Sequence, residues 1–558
     1  MGVAATRGEY DGIVLGTGHN GLVLQAYLAR AGVRCLALDR AAVAGGGLAT
    51  VENPRCPGFL HNTHSFFHRA LTAMPWFEDL ELTRHGVEYI EPELNVALVL
   101  RDGRVLKWWR DSERTLESAA EFSQRDAVIL RRWMAEFEPI VRTFVTPEAR
   151  SAPLPVAERT RFLEKTAQGR RLLEVSRLSP LEFVMGEFEN EVIQAGLLFF
   201  NGLREVDLRL PGFGHSIPSL LASPHKAQMC VGGSAALARG LIRDIREHGG
   251  EVRCGESLKR LLVENERVVG VELEDGEQIR ASRFVASGLN PQQTLLDLLP
   301  AAAVPEAVRN RARDFRYNII APLFALNLAL TEPPQYRALD QHPELADALM
   351  VILGLESVQQ FHQIVEAHEV GRIPTTVAWG ACPTRFDPSQ APRGGHTAFL
   401  WEKVPYSLAC DPEAWRAQGP EHARQLLSFW SEFAPNLRRH GVVLDSFHTT
   451  PLDTVSTLPN MHAGDLLVGS FAHDQVGDQR PFPGAGGYRT PIPGLYLCGG
   501  STHPGGNVTG LCGYNAARVI VNDLGMDPWW GAVDVRDAWP SVETGSSSES
   551  APASDSEI

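Results

Sequence analysis

The chain has 558 residues, a formal net charge of -15 and 44% hydrophobic residues. At roughly 150 residues per domain, this length predicts two or three lobes, which together can bury a large cofactor and a substrate. The net charge argues against nucleic-acid binding, because that function requires clustered positive charge. The eight cysteines show neither a CxxC pair nor a metal-ligand spacing, which favours buried thiols in a reducing compartment over a disulfide framework.

The start of the chain is short and polar and lacks the apolar core of a secretory signal. No run of about 18 or more apolar residues occurs, which is the length that a membrane-spanning helix requires. We therefore expect a soluble protein located in the cytoplasm, or one that contacts a membrane only at its periphery.

The first forty residues predict a dinucleotide-binding βαβ unit. An apolar strand at 13–15 runs into a GxGxxG turn at 16–21, an alanine-rich helix pattern follows to Gly32, and a second strand ends on Asp39. A strand, a glycine turn, a helix and an acid about twenty residues further on are the parts of this unit. The alternative is a glycine turn with a purely structural role, and it would not explain why Asp39 lies at this position.

Each part of the unit has a physical task. Gly16 permits the tight turn, Gly18 lets the backbone approach a pyrophosphate, and Gly21 lets the helix pack on the strand. The helix N-terminus offers unpaired N–H groups to the phosphates. Asp39 can accept hydrogen bonds from a ribose.

A second glycine cluster, Gly45-Gly46-Gly47-Leu48, follows the ribose acid. Only glycine lets the backbone pass this close to phosphate and flavin. NAD-only dehydrogenases do not ordinarily need such a cluster, so it favours FAD as the cofactor.

Three histidines, His61, His64 and His68, lie in the turn region at 57–68. They could ligate a metal, but the segment has no clear helical frame, so no metal is assigned. Polar lining of a site and ordinary surface or core histidines are the other two interpretations.

A second lobe is predicted to begin with a hairpin at 96–109 and to continue with helical patterns at 112–145 and 158–203. The second pattern contains the very apolar run Ala195 to Phe200. Such a run is most often core; a tunnel wall for an apolar substrate and a face that sits on a bilayer are the functional alternatives.

The remaining chain alternates between the two lobes. A helix at 235–248 and strands at 251–253, 258–263 and 284–287 indicate a return to the nucleotide-binding lobe. Residues 295–454 are mixed, with helices expected at 343–353, 356–368 and 413–434 and strands at 324–330, 376–381 and 396–402. A strand at 494–500 then leads through a glycine-rich loop into a helix at 511–524.

We therefore predict an α/β fold in which a Rossmann-like FAD-binding domain carries an inserted mixed α+β substrate domain. The FAD-binding domain is assigned to residues 1–75, 225–310 and 455–535, and the substrate domain to 76–224 and 311–454. The tail at 541–558 is rich in Ser, Glu, Ala and Pro and is predicted to be disordered.

Four features together resemble the phytoene desaturase-like FAD-dependent oxidoreductases, and most of all the branch of the pyridine nucleotide-disulfide oxidoreductase domain-containing protein 2. These features are the GxGxxG with Asp39, the Gly45-Gly46 pair, the strand 285–287, and the closing 495–500 followed by 503–506. The resemblance implies the FAD domain of the amine oxidase and glutathione reductase type, with a substrate lobe that has a β-sheet floor and a helical cover.

The resemblance also assigns positions to the cofactor. Many relatives have an acid where this chain has His61, and a Glu where Asp39 stands. The implied cofactor-binding residues are Gly16, Gly18 and Gly21 at the pyrophosphate, Asp39 at the ribose, Arg40, Gly45, Gly46, Gly47 and Leu48 on the flavin side, Leu258 at the adenine, and Gly500, Val508 and Thr509 at the ribityl chain and isoalloxazine.

By this resemblance the chain is an FAD-dependent dehydrogenase or desaturase. The flavin N5 accepts a hydride from a substrate C–H, and a base or a path to solvent takes the proton, which leaves a double bond. His64 and His503 are the candidate polar partners of this step. The expected substrate is small and apolar, with isoprenoid-like molecules included, and no nucleic acid is expected among the partners.

Two other functions stay open at this stage. One is an amine oxidase-like flavin oxidase that uses oxygen and holds its amine in an aromatic cage, for which Trp379, Trp401 and Tyr406 are candidates. The other is a flavin-binding interaction protein without catalytic turnover. A homodimer and a peripheral membrane contact are also kept as open alternatives.

Overall fold

The computed structural model describes residues 10–199, 207–472 and 474–540. The tail that was predicted to be disordered, at 541–558, lies outside these residues, as do positions 200–203 of the predicted helical stretch.

The described residues form a mixed α/β structure. The strands are β1 (Tyr10–Leu15), β2 (Cys35–Asp39), β3 (Thr50–Glu52), β4 (Leu60–Asn62), β5 (His68–Arg69), β6 (Tyr89–Ile90), β7 (Leu94–Val99), β8 (Val105–Trp109), β9 (Ala227–Cys230), β10 (Glu251–Cys254), β11 (Leu258–Glu264), β12 (Arg267–Leu273), β13 (Gln278–Ser287), β14 (Leu323–Leu330), β15 (Ala348–Leu353), β16 (Ala378–Ala381), β17 (His396–Lys403), β18 (Val443–Thr449) and β19 (Leu495–Leu497).

The helices are α1 (His19–Arg30), α2 (Pro75–Asp79), α3 (Ser112–Ala120), α4 (Gln124–Ile140), α5 (Thr146–Ala149), α6 (Val156–Leu163), α7 (Ala167–Ser176), α8 (Pro180–Glu187), α9 (Glu191–Leu198), α10 (Ser216–Ala222), α11 (Ala235–Glu247), α12 (Glu306–Arg313), α13 (Gln359–Glu369), α14 (Trp415–Phe433), α15 (Pro451–Thr457), α16 (Leu511–Asp523) and α17 (Val535–Ala538). None of the helices in these described ranges is long and apolar enough to cross a membrane.

The first sheet has a parallel centre in the order β10-β2-β1-β13-β19. Strand β13 is ten residues long; its last part pairs in parallel with β1, and its first part pairs antiparallel with β12. Helices α1, α11 and α16 cover one face of β1 and β2, and the antiparallel part of the sheet packs on the other. Both faces of the parallel strands are therefore buried, which explains why β1 and β2 are apolar almost throughout.

The second sheet has the order β18-β14-β17-β16-β15-β7-β8. Only the β15–β7 pair is parallel; the other neighbours run antiparallel. One face packs against helices α3, α4 and α6 to α10, and the other against α14. The strands of the first sheet come from 1–75, 225–310 and 455–535, and those of the second from 76–224 and 311–454; the exact domain boundaries remain a prediction.

One predicted helix was wrong. Residues 343–353 were expected to be helical, but the structure has a 3₁₀ turn at Pro343–Asp347 followed by strand β15. All six side chains of β15 are buried. A short, uniformly apolar run cannot be assigned to helix or strand by periodicity, because both of its faces are covered.

The helical stretch after residue 158 is divided into short helices by its capping residues. Ser179 and Glu182 form a capping box at the start of α8, and the Asn190 side chain accepts hydrogen bonds from two N–H groups at the start of α9. Such caps satisfy first-turn donors and define where a helix begins.

Trp430 provides a test of the core on the α14 side of the second sheet. Its side chain is fully buried, and its Nε1 donates to the Tyr336 hydroxyl at 3.3 Å. We expect Trp430→Ala to lower the free energy of unfolding by about 3–5 kcal/mol, because it leaves a cavity and an unpaired hydroxyl. Arg424→Ala, an exposed position on the same helix, should change it by less than about 0.5 kcal/mol. Urea unfolding followed by circular dichroism measures both, and equal effects would contradict this packing.

Candidate functional site

A cavity of about 570 Å³ lies at the carboxyl ends of the parallel strands. Its wall includes Leu38 at the end of β2, Gly16 after β1, Gly288 after β13 and Gly499 after β19. It extends to Trp379 and Trp401 on the second sheet. In open α/β sheets, ligands bind at this edge, where the strand order changes direction.

The glycine turn brings α1 onto the end of β1. Gly16 has φ +86°, which is a left-handed conformation that favours glycine. A Cβ on Gly21 would lie 2.2 Å from the Gly16 carbonyl oxygen, so any side chain there would push α1 away. A Cβ on Gly18 would meet no protein atom within 4 Å, because this residue borders the cavity.

The N-terminus of α1 faces the cavity without a side-chain cap. Gly18 is the N-cap residue, and no side chain accepts from the first turn. His19, Asn20 and Gly21 line the cavity, and Leu22 donates the first intrahelical bond, to Gly18, at 3.0 Å. Free N–H groups at the positive end of a helix form a site for an anion such as a pyrophosphate.

Asp39 is held as an acceptor at the cavity wall. One carboxylate oxygen accepts from the Thr17 N–H at 2.7 Å and from the Thr17 hydroxyl at 2.8 Å, and the other accepts from the Ala41 N–H at 2.9 Å. A carboxylate has about four acceptor positions, so capacity remains for a further donor. Leu258 and Arg40 line the same region, and we call this part of the cavity, from the α1 N-terminus to Asp39 and Leu258, the nucleotide end.

The second glycine cluster contributes to the cavity with only two of its four residues. Gly46 and Gly47 line it, whereas Gly45 and Leu48 do not. The Gly45 N–H donates to the Thr17 carbonyl at 3.0 Å, and the Leu48 N–H donates to Gly45 at 3.0 Å. Gly45 and Leu48 therefore fold the cluster and place its two middle residues, and their predicted contact with a cofactor stays a prediction.

The loop at 498–510, between β19 and α16, is called the closing loop. Only some of its expected cofactor-binding residues line the cavity. Gly500 and Val508 line the cavity, but Thr509 does not. The Thr509 carbonyl instead accepts a hydrogen bond from the Trp76 indole at 2.7 Å, and its hydroxyl accepts from the Leu511 N–H at 3.3 Å. The expected ligand contact of Thr509 stays a prediction.

His64 lines the cavity, as expected of a site residue. Its Nδ1 shares a hydrogen bond with the Thr63 hydroxyl at 2.9 Å, and its Nε2 lies 3.5 Å from the Thr454 hydroxyl. Burial lowers the pKa of His64 to about 4, because the charged form loses its hydration. The imidazole is therefore neutral at pH 7 and has a ring nitrogen that can accept a proton.

His503, the second candidate for the chemical step, is not among the residues that line the cavity. Its side chain is buried, and its Nε2 lies 2.9 Å from the Glu148 carbonyl oxygen. Its own carbonyl accepts from the Tyr488 hydroxyl at 2.7 Å. The His503 ring thus connects the closing loop to the segment around Glu148.

The far part of the cavity is built from aromatic side chains. Trp379 and Trp401 meet edge to face, with ring centroids 6.3 Å apart, and Phe67 meets Trp401 at 6.5 Å. Phe66 completes the set that lines the cavity, and we call these four residues the aromatic end. Tyr406, the third candidate of the amine cage, is not part of it, so the predicted cage is incomplete.

The described part of the apolar run, residues 195–199, does not line the cavity. Ala195, Leu197, Leu198 and Phe199 are at most 1% exposed and belong to the core, and none of them lines the cavity. The same burial excludes contact with a bilayer for these residues. Phe200 lies outside the described residues.

The side chains of His61, His64 and His68 each contact different neighbours. The His61 ring packs edge to face on Phe447, and His68 Nδ1 lies 2.7 Å from the Tyr89 hydroxyl. Within the residues that the structure describes, no group of three His, Cys, Asp or Glu side chains is arranged to hold a metal ion.

Several wall residues were not predicted. His19 is partly buried, its Nε2 atom is buried without a hydrogen-bond partner among the described residues, and desolvation lowers its pKa to about 4. Asn460 accepts from the Asn290 N–H at 2.6 Å and donates to the Gly288 carbonyl at 3.3 Å. The sequence could have indicated His19 as a wall residue, because it directly follows the GxG turn. It could not have indicated Asn460, because the partners of that side chain lie about 170 residues away.

Known proteins resemble this chain in sequence over nearly its whole length. The profile of the NAD(P)-binding Rossmann-like domain family matches residues 14–80. The chain is 30% identical to a subunit of limonene dehydrogenase from Castellaniella defragrans, over 94% of this chain and 97% of that protein. It is 29% identical to the pyridine nucleotide-disulfide oxidoreductase domain-containing protein 2 of Rattus norvegicus, over 92% and 94%. A lycopene-forming phytoene desaturase of Pseudescherichia vulneris is 24% identical, over 92% and 99%.

Solved structures show the same fold. An oxidoreductase from Methanosarcina mazei superimposes with a TM-score of 0.61 at 16% identity, covering 92% of this chain and 99% of that one. Cyclohexylamine oxidase from Brevibacterium oxydans superimposes with a TM-score of 0.57 at 14% identity, covering 93% and 100%.

The sequence relatives are named dehydrogenases, desaturases and oxidoreductases. The Rossmann-like profile coincides with the nucleotide end of the cavity. The chain therefore belongs to the phytoene desaturase-like family of FAD-dependent oxidoreductases.

Proposed function

We propose that the cavity holds FAD and that the chain removes two hydrogens from a compact apolar substrate to form a double bond. The observation that carries this proposal is the continuity of the cavity from an anion-binding helix end to an aromatic end. Polar groups are concentrated at the first end and large apolar rings at the second.

The residues of the nucleotide end fit the cofactor in type and position. Gly16, Gly18 and Gly21 would hold the pyrophosphate at the α1 N-terminus, Asp39 the ribose, and Leu258 the adenine. The flavin side would be held by Arg40, Gly46 and Gly47 and by the closing loop at Gly500 and Val508. The open space at Gly18 and the uncapped helix end are structural features that such a ligand requires.

When bound, FAD supplies a two-electron acceptor for a hydride from a substrate C–H. The aromatic end packs the substrate and excludes water, which keeps the reacting carbon in a low-dielectric environment. The neutral His64 receives the second hydrogen as a proton. The substrate thus loses one hydride and one proton and gains one carbon–carbon double bond.

The substrate class is proposed from shape and from the relatives' names. The aromatic end is lined by two indoles that pack edge to face, with ring centroids 6.3 Å apart, and such a rigid wall favours a compact molecule over a long extended chain. One relative is named for limonene and another for phytoene. We propose a compact terpene-like hydrocarbon.

The amine-oxidase alternative has weaker support. Cyclohexylamine oxidase shares the fold, but Tyr406 is absent from the wall of the cavity. The alternative of a flavin protein without turnover has no support among the relatives, whose names describe enzymes.

The first experiment is an absorbance spectrum of the purified protein, followed by anaerobic addition of monocyclic terpenes, long polyisoprenoids and amines. We expect flavin bands that bleach with the monocyclic terpenes. Bleaching by amines alone would favour the oxidase, and bleaching by long polyisoprenoids alone would contradict the compact-substrate assignment. A protein that retains no flavin after reconstitution with FAD would contradict the proposed function as a whole.

Gly18→Glu should abolish FAD retention. The added side chain enters the cavity at the proposed pyrophosphate position and brings a like charge, while an added Cβ meets no protein atom there. Gly186→Glu is the matched control, since its Cβ also meets nothing and the residue lies on α8 outside the cavity. The ratio of flavin to protein absorbance measures both variants, and a yellow Gly18→Glu protein at full stoichiometry would refute the cofactor assignment.

His64→Ala should slow anaerobic flavin reduction by about 100-fold while FAD stays bound, because it removes the proposed proton acceptor. In the native protein the lowered pKa keeps His64 neutral, so its protonation state should leave the rate constant nearly unaffected from about pH 6 to about pH 8. The rate should fall only as the pH approaches about 4, where the imidazole becomes charged.

His503→Ala serves as the comparison, because it removes a buried histidine that does not line the cavity. We expect it to lower the thermal midpoint and to leave the rate of flavin reduction near that of the native protein. Stopped-flow absorbance measures these rates. If His503→Ala slowed reduction as strongly as His64→Ala, the assignment of His64 as proton acceptor would not stand.

A further inference from the structure

Arg480 is a fully buried arginine close to the cavity. Burial lowers the pKa of its guanidinium to about 10, so the group stays positively charged at neutral pH. Its hydrogen-bond partners are five backbone carbonyl oxygens, of Ser470 at 2.8 Å, Gln475 at 3.4 Å, Val468 at 3.4 Å, Gly469 at 3.3 Å and Gly500 at 2.9 Å.

These partners neutralise the charge only through their dipoles. Asp465 interacts with Arg480 electrostatically, but its oxygens accept from the N–H groups of Asn318 at 2.8 Å, Leu467 at 2.9 Å and Gly469 at 2.8 Å. The Arg480 Nε is buried without a hydrogen-bond partner among the described residues. A buried charge with this arrangement costs free energy, and a nearby negative charge would offset that cost.

The guanidinium lies one backbone layer behind the cavity wall. Val468 and Gly500, whose carbonyls it holds, both line the cavity. A Cβ on Gly505 would lie 3.5 Å from the Arg480 Nε, and the next residue, Gly506, again lines the cavity. Only a layer of backbone therefore separates the Arg480 guanidinium from a ligand in the cavity. The low dielectric of the interior weakens the screening of its charge.

We propose that Arg480 is a positioning residue that raises the reduction potential of the bound flavin by holding a fixed positive charge behind Val468 and Gly500. This inference rests on the proposed function. A flavin gains electrons on reduction, so a nearby cation stabilises the reduced form more than the oxidised form. The same side chain joins the segment at 468–470 to the closing loop at Gly500, which fixes the wall on which the charge acts.

A purely structural role of Arg480 predicts a different result for the reduction potential of the flavin. If Arg480 only joins two loops, every substitution that breaks its fork of hydrogen bonds lowers thermal stability, and the potential of the retained flavin stays constant. Charge and hydrogen-bond geometry can be separated, because lysine keeps the charge but lacks the planar fork of arginine. Methionine keeps much of the length and lacks both.

The experiment measures the flavin reduction potential by anaerobic equilibration with reference dyes, and the thermal midpoint of the same preparations. In Arg480→Met we expect the equilibrium constant for reduction to fall at least tenfold, which is about 30 mV for a two-electron couple. In Arg480→Lys we expect a potential close to that of the native protein. The thermal midpoint should fall in both variants.

Asp465→Asn gives a test of opposite sign. The amide nearly matches the carboxylate in size and removes the negative charge that opposes Arg480, so the potential should rise. Its NH2 group also replaces one of the two oxygens that accept from backbone N–H groups, so the thermal midpoint should fall. If Arg480→Met is not recovered folded, this variant decides the question. A rise supports the inference, and an unchanged potential overturns it.

The remaining outcomes are also decisive. A potential that is equal in the native protein, Arg480→Met and Arg480→Lys overturns the inference, and leaves the proposed function intact because FAD is still bound and reduced. A native protein that retains no flavin contradicts the proposed function itself, and this result precedes any measurement on the variants.

Discussion

The site depends on how closely α1 approaches the end of β1. The space between Gly21 and the Gly16 carbonyl does not admit even a Cβ, so the helix N-terminus is fixed directly beside the strand end. Thr17, inside the same turn, donates to Asp39 at the end of β2. The turn, the helix end and the acid are therefore one rigid assembly, and the cavity is formed against it.

The cavity wall carries groups of both signs. Its side chains include the carboxylates of Asp39, Glu256, Glu274 and Asp297, whereas the uncapped N-terminus of α1 and the buried Arg480 behind the wall are positive. A helix end carries about half a positive charge, so α1 offers a local site for an anion within a protein whose net charge is -15.

The sequence was sufficient for the nucleotide end and insufficient for the aromatic end. The βαβ unit could be predicted because its glycines, helix and acid lie within about 25 residues and each has a local cause. His64 was chosen by its place after the glycine cluster and His503 by its place in the closing loop; the first lines the cavity, whereas the ring of the second contacts a carbonyl 355 residues away. The pairing of Phe67, Trp379 and Trp401 depends on strand register and loop packing, which no local pattern encodes. The helix predicted at 343–353 failed for a related reason, since both faces of β15 are covered.

The register of the second sheet has a consequence for how this enzyme can diverge. Trp379 on β16 and Trp401 on β17 are direct cross-strand neighbours, and neither strand belongs to the sheet that carries the glycine turn. A change in either indole therefore alters the volume of one end of the cavity without moving the other end. The shape of the aromatic end can therefore diverge by substitution at two neighbouring positions, while the glycine turn on the other sheet is inherited unchanged.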